Sequence, residues 1–145
     1  LYFPAVRGLA YCKPKHSELS SYFGHGVRIL VVDDEPKYIV IASNLLTRLG
    51  YLVESVPSGE AAIEYLQQNT ADLLVLDMLM PQGMSGRETY ERAIELHPGQ
   101  KAIITSGYAK TDEVKRAQHL GAGRFVKKPY TVEQIGLAVR EELQR

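Results

Sequence analysis

An unbroken apolar run that ends in an acid constrains the fold of this chain more than any other stretch. Residues 73–76 read Leu-Leu-Val-Leu and lead directly into Asp77. Four consecutive apolar residues are typical of a short strand that is buried on both faces, as in the centre of a parallel sheet. Such a strand presents Asp77 at its carboxyl end, where ligands bind in open α/β sheets. A charged residue there needs a metal, a cation or a hydrogen-bond donor, which makes Asp77 a candidate functional residue.

The composition of the 145 residues is that of one ordinary globular domain with a few residues to spare. Lys plus Arg equals Asp plus Glu at 17 each, so the chain lacks the basic field that would indicate nucleic-acid binding. The single Cys12 excludes an internal disulfide. No apolar run approaches the ~20 residues that a membrane span requires. We therefore expect a cytoplasmic domain that contacts neither nucleic acid nor membrane.

Residues 1–26 differ in character from the rest of the chain. The segment LYFPAV suits one short strand, and the residues after it mix Gly, Pro, Ser and charge without periodicity, which predicts a linker. The sequence begins without Met, so we expect a piece of a longer protein. The compact domain is predicted to cover residues 27–145.

Strands and helices alternate from residue 27 onward. The predicted strands are 28–32, 51–56, 73–76, 101–105 and 123–126. Pro36, Ser58 and Thr111 mark helix starts, and Thr131 with Gln134 has the pattern of a capping box. Five βα units in a row predict a doubly wound parallel sheet with helices on both faces, a three-layer α/β/α architecture.

Charged and hydroxyl residues follow four of the predicted strands. Asp33 and Asp34 follow the first, Asp77 the third, Ser106 the fourth and Lys128 the fifth. The carboxyl ends of parallel strands open on one edge of the sheet, so these groups can converge. Clustered carboxylates raise one another's pKa unless a cation intervenes, and hard oxygen ligands with open positions suit Mg²⁺. Each residue alone also suits a turn, a cap or a solvated surface, so the prediction depends on the whole set.

Four segments carry a family resemblance: ILVVDDE at 29–35, LDMLMP at 76–81, ITSGY at 104–108 and FVKKPY at 125–130. In this order and spacing they resemble the receiver domains of two-component signalling, which are common in bacteria. The resemblance implies a flavodoxin-like fold with strand order 2-1-3-4-5. It also implies that Asp77 is the phosphoacceptor. Mg²⁺ would be held by Asp34, Asp77 and the backbone carbonyl of Leu79, with Asp33 binding through water.

The resemblance assigns the other site residues as well. Ser106 would bond the phosphoryl group through its hydroxyl, and Lys128 would be its cation. Thr105 could compete for the hydroxyl role, but Ser106 precedes a small glycine as the family's hydroxyl does. Movement of Ser106 would vacate space into which Phe125 turns, and the two would form a switch. The Lys128–Pro129 bond is expected to be cis, as in the family.

The implied activity is phosphoryl transfer from a phosphohistidine donor, either a kinase dimerisation domain or a histidine phosphotransfer protein. Such a domain catalyses its own phosphorylation and dephosphorylation without being a turnover enzyme. In a single-domain regulator the fourth helix, fifth strand and fifth helix would form the face for partner proteins. Receivers often pair as homodimers, and such pairing would use the fourth and fifth elements.

The sequence departs from the family pattern at several positions. Leu79 is apolar where the family often has a polar residue, which predicts an unusual dephosphorylation rate. The loop at 81–86 is one residue longer than the common pattern, and Phe125 lacks the hydroxyl of the tyrosine frequent there. The four histidines, at positions 16, 25, 97 and 119, show no ligand spacing and are interpreted as surface or capping residues.

The leader suggests a parent protein. LYFPAV resembles the last strand of the ATP-binding domain of sensor histidine kinases, so we expect the C-terminal receiver of a hybrid histidine kinase whose catalytic domains are absent from this chain. The alternatives are a single-domain response regulator and an unphosphorylated interaction scaffold. A flavin-binding flavodoxin is a more distant alternative, because acids after the first strand would repel the cofactor phosphate.

Overall fold

A computed structural model of the protein describes residues 26–107 and 111–145. The predicted leader at 1–25, with Cys12, His16 and His25, and the motif residue Tyr108 lie outside the described residues. In chain order the elements are β1 Arg28–Val32, α1 Pro36–Arg48, β2 Leu52–Val56, α2 Gly59–Gln68, β3 Leu73–Asp77, α3 Gly86–Leu96, β4 Ala102–Ser106, α4 Asp112–His119, β5 Phe125–Lys127 and α5 Val132–Leu143. None of the helices within these ranges combines the length and apolar character needed to cross a bilayer.

The five strands form one parallel sheet in the order β2-β1-β3-β4-β5. The predicted flavodoxin-like α/β fold is therefore confirmed. Strand β2 lies at an edge and is only partly buried, whereas every residue of β3 is buried. In the register of the sheet Val32 pairs with Leu76, and Asp77 pairs with Thr105. The carboxyl ends of β1, β3 and β4 consequently lie side by side.

The apolar run of β3 is buried because both faces of the sheet are covered. Leu74 and Leu76 belong to the core beneath α2, α3 and α4, whereas Leu73 and Val75 belong to the core beneath α1 and α5. Successive side chains of a strand point to opposite faces, so an uninterrupted apolar run fills both cores.

Helix ends coincide with the predicted capping signals. The Ser58, Thr111 and Thr131 side chains accept hydrogen bonds from backbone N–H groups of the first helical turns, and Thr131 with Gln134 forms the predicted capping box. Each such cap stabilises its helix by ~1 kcal/mol. Pro36 opens α1, and Gly50, at φ +94°, follows its end.

Boundaries of four strands differ from the prediction by one or two residues. Strand β2 begins at Leu52 rather than Tyr51, because the Tyr51 N–H still bonds to the Leu46 carbonyl at the end of α1. Strand β5 runs from Phe125 to Lys127, although the Gly123 N–H already bonds to the Ala102 carbonyl of β4. Strand β4 runs on to Ser106, which pairs with β5.

Candidate functional site

Three aspartates meet at the carboxyl edge of the sheet. Asp33 follows β1 and Asp77 ends β3, so the pairing of these two strands sets the two side chains next to each other. One carboxylate oxygen from each of Asp33, Asp34 and Asp77 lies within 4.8 Å of the others. Asp33 and Asp77 are buried, whereas Asp34 is exposed at the mouth of the site. The predicted acidic cluster is thus assembled, with one member open to solvent.

Lys128 supplies the cation of this cluster. Its Nζ lies 2.7 Å from Asp33 Oδ2 and 3.5 Å from Asp77 Oδ2, and all three side chains are buried. The segment that carries Lys128 follows β5 and contains the predicted cis Lys128–Pro129 peptide bond. The backbone N–H of Lys128 bonds to the Ser106 carbonyl at 2.8 Å, which fixes the start of this segment to β4.

Backbone N–H groups orient the two buried carboxylates. Asp33 Oδ1 accepts a hydrogen bond from the Glu35 N–H at 2.9 Å, and Asp77 Oδ1 accepts one from the Leu79 N–H at 3.2 Å. The second oxygen of each carboxylate faces Lys128. Each aspartate is therefore held in one orientation, with one oxygen toward the backbone and the other toward the ammonium.

The electrostatics of the site favour a further cation. Burial, reinforced by the charge of Asp33, raises the pKa of Asp77 from 3.8 to about 7, although Lys128 and the Leu79 N–H act in the opposite direction. Asp34 adds a smaller contribution that also raises this pKa. The cluster thus carries three carboxylates, of which only Asp33 and Asp77 pair with the Lys128 ammonium, and a divalent cation would offset the remaining negative charge. The chemistry of this donor set fits Mg²⁺, which binds carboxylate oxygens and retains open positions.

The two hydroxyl candidates are the last two residues of β4, and both are buried. Thr105 pairs with Asp77, whereas Ser106 lies one residue beyond and pairs with Lys127. Phe125 pairs with Ile104 and is half-buried against the core beneath α2, α3 and α4. Because Ile104 and Ser106 are two residues apart on one strand, Ser106 and Phe125 share a face of the sheet. This is the arrangement that the predicted switch requires.

Three residues that shape the site were not predicted from the sequence. Glu35 is an exposed fourth carboxylate, with Oε1 3.8 Å from Lys128 Nζ. The ring of Tyr38 covers the same ammonium, 4.2 Å from Nζ to the ring centroid. Gly86 opens α3 so close to the phosphoacceptor strand that a Cβ there would lie 2.5 Å from the Asp77 carbonyl oxygen. A glycine at the start of a helix is a signal of close approach, whereas nothing in the sequence singles out Tyr38.

The long loop at 81–86 is held by α2. Gly83 adopts a φ of +81°, and the Met84 N–H donates to Glu60 Oε2 at 2.8 Å. Ser85 then caps α3 in a capping box with Glu88. This capping box was not predicted from the sequence. These contacts hold residues 84 and 85 in place directly before α3.

The two described histidines have the expected roles. His97 is the C-cap of α3, and its Nε2 lies 2.8 Å from the Leu66 carbonyl oxygen. His119 is exposed at the end of α4. Neither belongs to the acidic cluster.

The chain is similar in sequence and in structure to known receiver domains. The family model of the response regulator receiver domain matches residues 29–140. Sporulation initiation phosphotransferase F of Bacillus subtilis is 28% identical over 116 residues, which are 80% of this chain and 93% of that protein. The crystal structure of a CheY-like receiver domain protein from Methanospirillum hungatei superposes with a TM-score of 0.77 at 28% identity and covers 83% of this chain and 95% of that one.

Sensor proteins of greater length are also similar. Sensor protein GacS of Pseudomonas syringae is 32% identical over 117 residues, covering 77% of this chain and 13% of that protein. Sensor kinase CckA of Brucella abortus is 27% identical over 135 residues, covering 92% of this chain and 14% of that protein. The chain therefore corresponds to nearly all of some relatives and to about one seventh of others.

Proposed function

We propose, from the premise that the chain belongs to the response regulator receiver domain family of two-component signalling, that Asp77 is its phosphoacceptor. The observation that carries this assignment is the position of Asp77, buried at the end of β3 beside both Asp33 and Lys128. Of the three clustered acids, it is the one whose strand lies between β1 and β4, so it can face both the acidic pair and the hydroxyl residues.

Mg²⁺ is the proposed cofactor. Asp34, Asp77 and the Leu79 backbone carbonyl would hold it directly, and Asp33 would bind it through water. When bound, the ion neutralises charge on the transferring phosphoryl group. The cluster of three carboxylates, two of which pair with the single Lys128 ammonium, supports this proposal.

Residues of the chain itself carry out the other parts of the phosphoryl transfer. An Asp77 carboxylate oxygen forms a bond to phosphorus as the bond from phosphorus to the donor imidazole nitrogen breaks in line, and the imidazole leaves with that electron pair. The Lys128 ammonium stabilises negative charge on the phosphoryl oxygens. The Ser106 hydroxyl donates a hydrogen bond to one of them, and its movement lets Phe125 turn inward. Water later hydrolyses the acyl phosphate and regenerates Asp77.

For the parent protein we propose a hybrid histidine kinase. Residues 1–26 make up about 18% of the 145 residues, so an alignment that covers 92% of the chain must include part of them. The similarity to the sensor kinase CckA has that extent and thus reaches beyond the receiver domain. The donor would then be a phosphohistidine of the kinase itself or of a phosphotransfer protein, in the cytoplasm. Homodimer formation through α4, β5 and α5 stays a prediction.

A single-domain regulator is the second candidate. It is favoured by the similarity to sporulation initiation phosphotransferase F, of which this chain covers 93%. The domain content of the full-length gene product would distinguish the two proposals. The hybrid kinase requires an ATP-binding domain directly before residue 1.

The test of Asp77 is intact mass after incubation with acetyl phosphate and Mg²⁺. We expect a gain of one phosphoryl group that requires Mg²⁺ and is absent from Asp77→Asn. Asp112→Asn is the matched control, because Asp112 is an exposed acid in the first turn of α4. If neither acetyl phosphate nor a phosphohistidine domain gives any gain, the unphosphorylated scaffold becomes the better assignment.

A further inference from the structure

Among the described residues, three carboxylates and one uncharged ring lie close to the ammonium of Lys128. Asp33, Asp77 and Glu35 place carboxylate oxygens 2.7, 3.5 and 3.8 Å from Nζ. The face of the Tyr38 ring lies 4.2 Å from the same atom, measured to the ring centroid. This distance is well within the ~6 Å over which a cation is attracted to an aromatic face.

The Tyr38 ring is itself held in place. Tyr38 is the third residue of α1, whose start is attached to the acidic cluster by the hydrogen bond from the Glu35 N–H to Asp33. Its ring packs against the Tyr130 ring, with centroids 5.9 Å apart and planes at 49°. Tyr130 is buried two residues after Lys128. Tyr38 therefore contacts both ends of the segment 128–130, and the tilted geometry is one that aromatic pairs prefer.

We infer that Tyr38 is a positioning residue that keeps the Lys128 ammonium directed at Asp77, an inference that rests on the proposed function of that pair. A lysine ammonium is a compact charge on a flexible stem, and its nearest carboxylate here is Asp33, not Asp77. The aromatic face attracts the ammonium without competing for it as a third buried carboxylate would. The ring thereby limits the positions of Nζ to those within reach of a phosphoryl group on Asp77.

Two substitutions at position 38 separate the aromatic face from the other properties of the side chain. Tyr38→Phe keeps the ring and removes the hydroxyl, whereas Tyr38→Leu keeps an apolar side chain and removes the ring. Lys37→Met is the matched control, because the exposed Lys37 also approaches the Tyr38 ring, at 5.2 Å, from outside the acidic cluster.

The first measurement is the proton chemical shift of the Lys128 side chain by NMR, made on the unphosphorylated protein. A ring face above the ammonium shields the adjacent methylene protons, so we expect an upfield shift in the wild type, Tyr38→Phe and Lys37→Met that is lost in Tyr38→Leu. The second is the rate of Asp77 phosphorylation by acetyl phosphate at saturating Mg²⁺. We expect Tyr38→Leu to be slower by about three- to tenfold, and the other two variants to keep the wild-type rate.

Any other result of these two measurements contradicts the inferred role of Tyr38. If Tyr38→Leu keeps the upfield shift, or if it is phosphorylated as fast as the wild type, the ring does not position Lys128. Equal slowing in Tyr38→Phe would assign the effect to the hydroxyl instead. A wild type that gains no phosphoryl group from either acetyl phosphate or a phosphohistidine domain overturns the proposed function, and this inference with it. Urea unfolding of each variant verifies the fold, and Tyr38→Met replaces Tyr38→Leu in both measurements if the latter does not fold.

Discussion

Lys128 forms its shortest ion pair with Asp33, at 2.7 Å between Nζ and Oδ2. Asp77, the proposed phosphoacceptor, shares the same ammonium at 3.5 Å. A divalent cation that binds near Asp33 and Asp34 would weaken the hold of Asp33 on Lys128 and leave the ammonium to Asp77. The metal and Lys128 would therefore both stabilise negative charge that develops at Asp77.

Removing the ammonium should destabilise the fold. Lys128→Met leaves Asp33 and Asp77 buried without their cation, so we expect the free energy of unfolding at pH 7 to fall by about 3 kcal/mol. Urea unfolding measures this change. Lys127→Met, at the exposed neighbouring position, should change stability by no more than about 0.5 kcal/mol. Equal losses in the two variants would mean that the buried ion pairs do not stabilise the domain.

The stability of the domain should depend on pH through Asp77. Its pKa is raised from 3.8 to about 7 on folding, so between these values the folded protein retains a proton that the unfolded chain has lost. The free energy of unfolding, taken relative to Asp77→Asn, should therefore fall as pH rises through this window and level off above about pH 7. Urea unfolding of both proteins from pH 4 to pH 8.5 measures the difference. A difference that is constant with pH would contradict the raised pKa.

Bound Mg²⁺ should stabilise the ionised form of Asp77, which burial and the charge of Asp33 disfavour. Because the ion binds the carboxylate and not the acid, its affinity should increase as pH rises toward and past about 7. Metal titrations at several pH values measure this dependence, and Asp77→Asn should bind more weakly and lose it. A wild-type affinity that does not change with pH would show that Asp77 is not a ligand.

Gly86 should not tolerate a side chain. A Cβ at this position would lie 2.5 Å from the Asp77 carbonyl oxygen and 2.6 Å from Met78 Cα, so the backbone after Asp77 must shift. We expect Gly86→Ala to lower the free energy of unfolding by about 2 kcal/mol and to weaken Mg²⁺ binding. In Gly107→Ala the added Cβ meets nothing within 4 Å, and both quantities should stay close to wild type. If Gly86→Ala binds Mg²⁺ as tightly as the wild type, the close approach of Gly86 to the Asp77 backbone does not affect the metal site.

Leu79 should set the lifetime of the phosphoryl group. Its side chain is about half exposed two residues after Asp77, where a polar group could orient the attacking water. We expect Leu79→Asn to hydrolyse the acyl phosphate about tenfold faster, since orienting water lowers the barrier by ~1.4 kcal/mol. Leu52→Asn is the matched control, because Leu52 is an equally exposed leucine on the edge strand β2. The idea fails if Leu79→Asn hydrolyses at the wild-type rate.

The sequence by itself determined the order of the elements and most of the site. Buried apolar runs such as 73–76, and caps such as Ser58 and Thr131, are local signals whose physical cause lies within a few residues. The parallel βα alternation then required Asp33, Asp77 and Lys128 to reach one edge of the sheet, and the structure brings them together there.

Only the tertiary structure decided which side chains surround Lys128 and how closely. Tyr38 and Glu35 reach the ammonium because of how α1 packs beside the segment after β5, a contact between residues about 90 positions apart. Gly86 matters because α3 begins against the Asp77 backbone. The raised pKa of Asp77 likewise arises from burial together with the charges around it. Periodicity and capping patterns describe neighbours along the chain, whereas these features depend on distances through space that exist only in the folded chain.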